Sequence, residues 1–239
     1  MKFSIIVLEG TRDSIFLKYL LKRSLSRSNI EFKIREGNSR IAKRIVSGAC
    51  IITYSNLKTI VLIPVPGINE LKKLRYVLLR DLSNPQMDFV DIPEVILDSR
   101  EIFRRHIPKS DLEAIMFVCD YDRAQDLATD KIRKKASLYF YDKVYAGVLV
   151  RHIFFVRNLE EFLYNRMIRA GVIDLNEIVE DLLQKGFSLT KAVKAALFKY
   201  CDSIYEQYSR LFSLAEAKVL DEILTEISEL FLRINNSVS

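Results

Sequence analysis

Lys2-Phe-Ser-Ile-Ile-Val-Leu-Glu-Gly-Thr-Arg-Asp13 is the stretch on which the reading of the fold turns. Phe3, Ile5, Ile6, Val7 and Leu8 form an apolar run of strand length, closed by Glu9 and Gly10. The run predicts a buried first strand. Thr11 can cap a following helix, whose apolar positions Ile15, Phe16, Tyr19, Leu20 and Leu25 recur at helical spacing.

The same alternation continues outward. Glu31–Arg35 has the composition of a short strand, and the basic, mixed segment Gly37–Val46 is compatible with a helix. Thr59–Val65 predicts another buried strand, punctuated by Pro64, Pro66 and Gly67 before a helix that Asn69 opens. Residues 84–109 read as an insertion with one or two short strands. Asp111–Cys119 carries a central strand, Asp122–Tyr141 reads as a helix rich in Lys and Arg, and Gly147–Val156 is a further strand. From Asn158 onward the pattern is helical, with Asn158-Leu-Glu-Glu161 and Asp174-Leu-Asn-Glu177 resembling capping boxes. Strands alternating with helices predict an α/β fold with a mostly parallel sheet flanked by helices, followed by a helical C-terminal region.

Acidic residues gather at the predicted strand ends. Glu9 closes the first strand, Asp120 and Asp122 follow Met116-Phe-Val-Cys119, and Glu161 lies just past Val156. Ligand crevices of open α/β sheets lie at the carboxyl ends of strands. Carboxylates converging there repel one another, and a divalent cation removes that penalty. Plainer roles stand beside this one: Asp122 with Gln125 and Glu161 with Asn158 fit helix caps, and Asp13 fits a first helical turn. Glu9 and Asp120 end almost wholly apolar strands away from cap positions, so capping does not account for them.

In order and placement these segments resemble the Toprim-domain family, in its small stand-alone and OLD-nuclease-like branch. Val7-Leu-Glu-Gly-Thr-Arg-Asp13 is similar to that branch's opening motif, and Phe117-Val-Cys-Asp-Tyr-Asp-Arg-Ala124 to its Asp-x-Asp segment. Val65-Pro-Gly67 is similar to the glycine turn after the family's second strand, and Asn158-Leu-Glu-Glu-Phe-Leu163 to a late acidic segment. The resemblance covers roughly residues 1–165. It implies a Toprim-like (Rossmann-like) α/β domain over 1–165, with 166–239 as the helical C-terminal region. It also implies Glu9, Asp120 and Asp122 as catalytic residues. Glu9, Asp13, Asp120, Asp122 and Glu161 become the ligands of Mg²⁺ or Mn²⁺. The implied activity is that of a metal-dependent nuclease or other phosphodiester-processing enzyme; the alternative is a non-catalytic nucleic-acid-binding or assembly module on the same scaffold. A third reading is an enzyme of small phosphate esters. Ala124 stands where a third aspartate would be, and no strand-passage domain or zinc finger is encoded, which speaks against topoisomerase and primase roles.

Charge and composition narrow the classes further. The net charge of +6 divides into +10 over residues 1–173 and −4 over 174–239. Lys18, Lys22, Arg40, Lys43 and Arg44, together with Arg123, are therefore candidate contacts to a DNA or RNA backbone. A solvated helix face is the plainer account of the same charges. The acidic C-terminal helices suit a second copy or a protein partner better than nucleic acid. Three cysteines and two histidines, all far apart, argue against a Cys/His zinc site. Walker, dinucleotide-binding and nucleophile-elbow motifs are missing. With no apolar run of membrane-spanning length and no signal peptide, the chain reads as cytoplasmic, with no membrane contact.

Overall fold

A computed structural model describes residues 1–55, 58–103, 106–120, 133–135, 138–155, 165, 173–200, 225 and 228–232. The elements are β1 (Lys2–Glu9), α1 (Thr11–Arg27), β2 (Phe32–Ile41), β3 (Arg44–Tyr54), β4 (Lys58–Val65) and α2 (Ile68–Ser83). There follow β5 (Phe89–Asp91), β6 (Glu94–Leu97), β7 (His106–Pro108), β8 (Leu112–Asp120), β9 (Arg133–Lys135), β10 (Leu138–Tyr145) and β11 (Val148–Phe155). Beyond them the described elements are α3 (Ile173–Gln184), α4 (Leu189–Tyr200) and a π-helical turn, Ser228–Leu232.

Nine strands form one sheet in the order β6-β2-β3-β4-β1-β8-β11-β10-β9, and β5 and β7 pair separately. β4–β1, β1–β8 and β8–β11 are parallel. β6–β2, β2–β3, β3–β4, β11–β10 and β10–β9 are antiparallel. The expectation of a mostly parallel Toprim-like (Rossmann-like) sheet flanked by helices, with a helical C-terminal region, is therefore overturned. The sheet is mixed, antiparallel pairings predominate, and helices are few among the described residues. The physical reason lies in the connections. After α1 the chain does not feed directly into the next parallel strand. It makes a hairpin, β2–β3, and tight turns join only antiparallel neighbours. The turn Gly147 makes between β10 and β11 repeats this at the other side of the sheet.

Two further expectations change with it. Gly37–Val46 is not helical: it is the outer half of the β2–β3 hairpin. The helix predicted to run to Tyr141 does not, because Arg133–Lys135 and Leu138–Tyr145 are strands; residues 121–132 lie outside the described residues.

The central strands are buried on both faces, which explains their unbroken apolar runs. Ile6, Leu8, Met116 and Val118 face α1, through Ile15, Leu17, Leu20, Leu21 and Leu25. Val179, Val193, Leu230 and Phe231 from the C-terminal segments complete that layer. Phe3, Ile5, Val7, Phe117 and Phe154 face α2, through Leu71, Leu78 and Leu82. Among the described residues no helix is long and apolar enough to cross a membrane.

Candidate functional site

The parallel strands β4, β1 and β8 end together, and their ends carry the candidate chemistry. Glu9 is the last residue of β1 and Asp120 the last of β8; both are half-buried. The two strands are hydrogen-bonded neighbours in parallel register, with Leu8 opposite Val118. Glu9 and Asp120 thus lie within one residue step of each other on strands about 4.8 Å apart. The pleat turns them to different sides: Glu9 continues the series Phe3-Ile5-Val7 toward α2, and Asp120 the series Ala114-Met116-Val118 toward α1. Both are the last residues of their strands, on opposite faces of the sheet at one end of it.

The backbone at this edge follows one pattern twice. Glu9 of β1 is level with Val65 of β4. Gly10 N–H donates to Leu8 O at 3.0 Å and Gly67 N–H to Val65 O at 2.8 Å. Gly10 (φ 104°, ψ 163°) and Gly67 (φ 101°, ψ 173°) are the N-caps of α1 and α2, in place of the expected Thr11 and Asn69. These angles belong to a region that residues with a Cβ essentially do not enter. They reverse the chain sharply enough to start α1 on one face and α2 on the other. The N-termini of both helices therefore stand at the carboxylate edge, where their backbone N–H groups favour anions. Gly10→Ala is expected to cost about 1–3 kcal/mol. A Cβ at Gly10 meets nothing within 4 Å, so the loss is conformational and Gly10→Val should cost no less. Urea unfolding of both variants measures it.

Asp13 is buried in the first turn of α1, 7% exposed, one turn beyond Glu9. Asp122, Arg123 and Glu161 lie outside the described residues. Among the described residues no group of three or more His, Cys, Asp or Glu side chains gathers in a metal-holding arrangement. The described part of the site is thus a pair of strand-end carboxylates with Asp13 nearby in sequence.

The basic candidates separate by position. Lys18 is buried on α1 and its Nζ lies 3.1 Å from Glu36 Oε2, which ties the helix to β2. Lys22 is exposed further along α1, away from the edge. Arg40 pairs with Glu94 at 3.1 Å across β2–β6. Lys43 and Arg44 are exposed at the turn of the β2–β3 hairpin. That turn is at the carboxylate end, because β2 runs parallel to β1 through two antiparallel steps.

Neither described cysteine is placed for nucleophilic work. Cys50 and Cys119 are buried in strands, and burial pushes the Cys50 thiol up to about 12 despite the opposing charge of Lys18. An open depression lined by Asn29, Ile30, Phe32, Lys33, Thr53 and Tyr54 lies at the opposite end, where β2 begins and β3 finishes. It is remote from Glu9 and Asp120, and its titratable lining residues are Glu31, Lys33 and Tyr54.

One polar constellation was not foreseen. Arg75 of α2 donates from Nε to Nε2 of His152 on β11 at 2.8 Å, over the stacked ring of Phe117. The only advance signal was a histidine inside an apolar strand, which by itself says nothing of its partner. No family model matches this chain, and no curated protein or solved structure does.

Proposed function

We propose that this chain is a divalent-metal-dependent enzyme that hydrolyses phosphodiester bonds of nucleic acid. The observation carrying the reading is that Glu9 and Asp120 end adjacent parallel strands in near register. Two carboxylates at one edge are hard oxygen donors, which suit Mg²⁺ or Mn²⁺. Asp13, Asp122 and Glu161 are the further proposed donors. When bound, such a cation supplies Lewis-acid polarisation of a phosphoryl oxygen. Glu9 is the proposed proton acceptor for the attacking water. The N-terminal N–H groups of α1 and α2 orient the phosphate from both sides of the sheet. The likeness of the Glu9-Gly10 and Asp120-Tyr-Asp122 segments to Toprim motifs supports the same chemistry.

The test uses the full chain with Mg²⁺ or Mn²⁺ and single-stranded DNA, duplex DNA and RNA. Metal-dependent cleavage is expected from the wild type and not from Asp120→Ala or Glu9→Gln. Metal should also raise the wild-type stability by about 2.7 kcal/mol at a hundred times its Kd, and this gain should shrink in both variants. Salt-sensitive binding without cleavage would return the protein to a non-catalytic binding module. Turnover of nucleotides alone would make it an enzyme of small phosphate esters.

A further inference from the structure

We propose that the turn of the β2–β3 hairpin is a tip that engages double-stranded DNA beside the carboxylate edge. The inference rests on the reading that this edge processes nucleic acid, and it names the substrate class.

Position comes first. β3 pairs with β4 only over Cys50–Tyr54, so Arg44–Ala49 run on past that ladder at the end where β1 and β4 finish. A bulge at Gly48 shifts the β2–β3 register between Gly37 and Asn38 and bends the ribbon. The bend is held to the first turns of α1. Ser14 Oγ donates to Gly48 O at 2.6 Å, and Thr11 Cγ2 lies 3.2 Å from where a Gly48 Cβ would be. Thr11 is two residues beyond Glu9, so the ribbon is fixed to the element that carries the site. β6 flanks β2 only as far as Arg40. Ile41 is still buried in the α2-side core, and beyond it Ala42, Lys43 and Arg44 are exposed at the tip.

Charge and backbone point to the ligand. Lys43 and Arg44 are exposed, and among the described residues neither has an ion-pair partner. Arg40, half exposed, adds a third cation that it shares with Glu94. Ile45, 65% exposed, stands beside them as an apolar contact. Ala42 (φ 47°) and Lys43 (φ 67°) both occupy left-handed backbone. Two-residue hairpin turns of this kind favour Asn-Gly, and other residues carry strain there. The strained choice keeps a cation at the apex.

The surroundings choose among nucleic acids. No aromatic residue occurs from Ser39 to Ser47, so the tip has nothing to stack on unpaired bases. A two-stranded ribbon fits the B-form major groove, about 12 Å wide, and not the deep, narrow groove of duplex RNA. Lys43 and Arg44 then reach phosphates on the groove walls.

Fluorescence anisotropy with the full chain, Ca²⁺ replacing Mg²⁺, tests this on duplex DNA, single-stranded DNA and duplex RNA of one sequence. The wild type should prefer duplex DNA. Lys43→Glu/Arg44→Glu should weaken duplex binding roughly ten- to hundredfold near 0.1 M salt and lower the log–log salt slope by about 2. Lys185→Glu/Lys191→Glu, a charge-matched change at exposed positions just after α3 and on α4, should do neither. An unchanged affinity and slope in the tip variant overturns the proposal, as does wild-type preference for single strands or duplex RNA. Metal-dependent thermal stabilisation read on the same samples keeps the two readings apart. Stabilisation intact with tip dependence lost rejects the tip alone; tip dependence without stabilisation rejects the carboxylate reading alone.

Discussion

Asp142→Ala should lose about 3–5 kcal/mol of stability, because it strands a buried guanidinium. Asp142 and Arg151 are cross-strand partners on β10 and β11. Arg151 donates from Nε to Asp142 Oδ1 at 2.7 Å and from Nη2 to Oδ2 at 3.0 Å, a two-pronged pairing. The Arg151 and Asp142 side chains are only 6% and 13% exposed, respectively. The third prong, Nη1, donates to Leu230 O at 2.6 Å and joins the C-terminal π-helical turn to the sheet. The Phe140 ring lies 5.6 Å from the guanidinium carbon. Around this group are Leu149, Ile153, Leu230 and Phe231, all buried. Without the carboxylate the charge stays in that apolar setting, since Arg cannot release its proton. Replacing both partners with apolar residues, Asp142→Leu/Arg151→Met, removes the buried charge as well as the pairing. The double variant should therefore be more stable than Asp142→Ala. Urea unfolding across the cycle measures the coupling. Asp142→Ala within about 0.5 kcal/mol of the wild type, the range of ordinary surface changes, would mean that the pair is hydrated and that this account of the C-terminal tether is wrong.

A steep loss of stability in mild acid is the second large effect, and His152 is its source. Burial pushes the imidazole from its ordinary 6.5 down to about 3, the Arg75 charge pushes the same way, and Asp142 opposes them weakly. Nε2 accepts from Arg75, so the neutral ring carries its proton on Nδ1, which is buried and has no hydrogen-bond partner among the described residues. The rings of Phe117 and Phe154 lie stacked beside it, with centroids at 5.2 and 6.4 Å. An unfolded chain binds a proton at His152 below about pH 6.5, whereas the folded chain resists until about pH 3. This contribution is therefore intact above pH 6.5 and is lost as the pH falls through that window, at up to about 1.4 kcal/mol per pH unit. Carboxylates add their own acid dependence, so the informative quantity is the difference between wild type and His152→Gln. The variant should show the shallower decline in urea midpoint from pH 7 to pH 4. Parallel declines would show that the imidazole is not buried neutral.

The sequence alone determined where the chain is buried and where it turns. Phe3–Leu8, Ile60–Val65 and Ala114–Cys119 are almost wholly apolar stretches that suit a doubly covered strand, and all three lie in central strands. The helices after Gly10 and Gly67 were legible from their apolar spacing. Glu9 and Asp120 were legible as strand-end acids because Phe3–Leu8 and Ala114–Cys119, which they close, carry no charge.

Strand direction and neighbours were decided only by the tertiary structure. A buried strand has the same composition whether its partner runs with it or against it, so the apolar runs could not report a mixed sheet. The β2–β3 hairpin was hidden because its turn is Ala42-Lys43, without the Asn-Gly chemistry that marks such turns, and because its bulge at Gly48 breaks the alternation of the strand. Lys18 was legible as a cation on a helix but not as the buried partner of Glu36 on β2. The closeness of Glu9 and Asp120 depends on β1 pairing with β8 across the whole β2–α2 excursion, and Arg75 meets His152 only because α2 crosses to the opposite face from α1. Local pattern sets each segment's burial and period. Which segments meet, and in which direction, is set by long-range pairing free energies that no single segment carries.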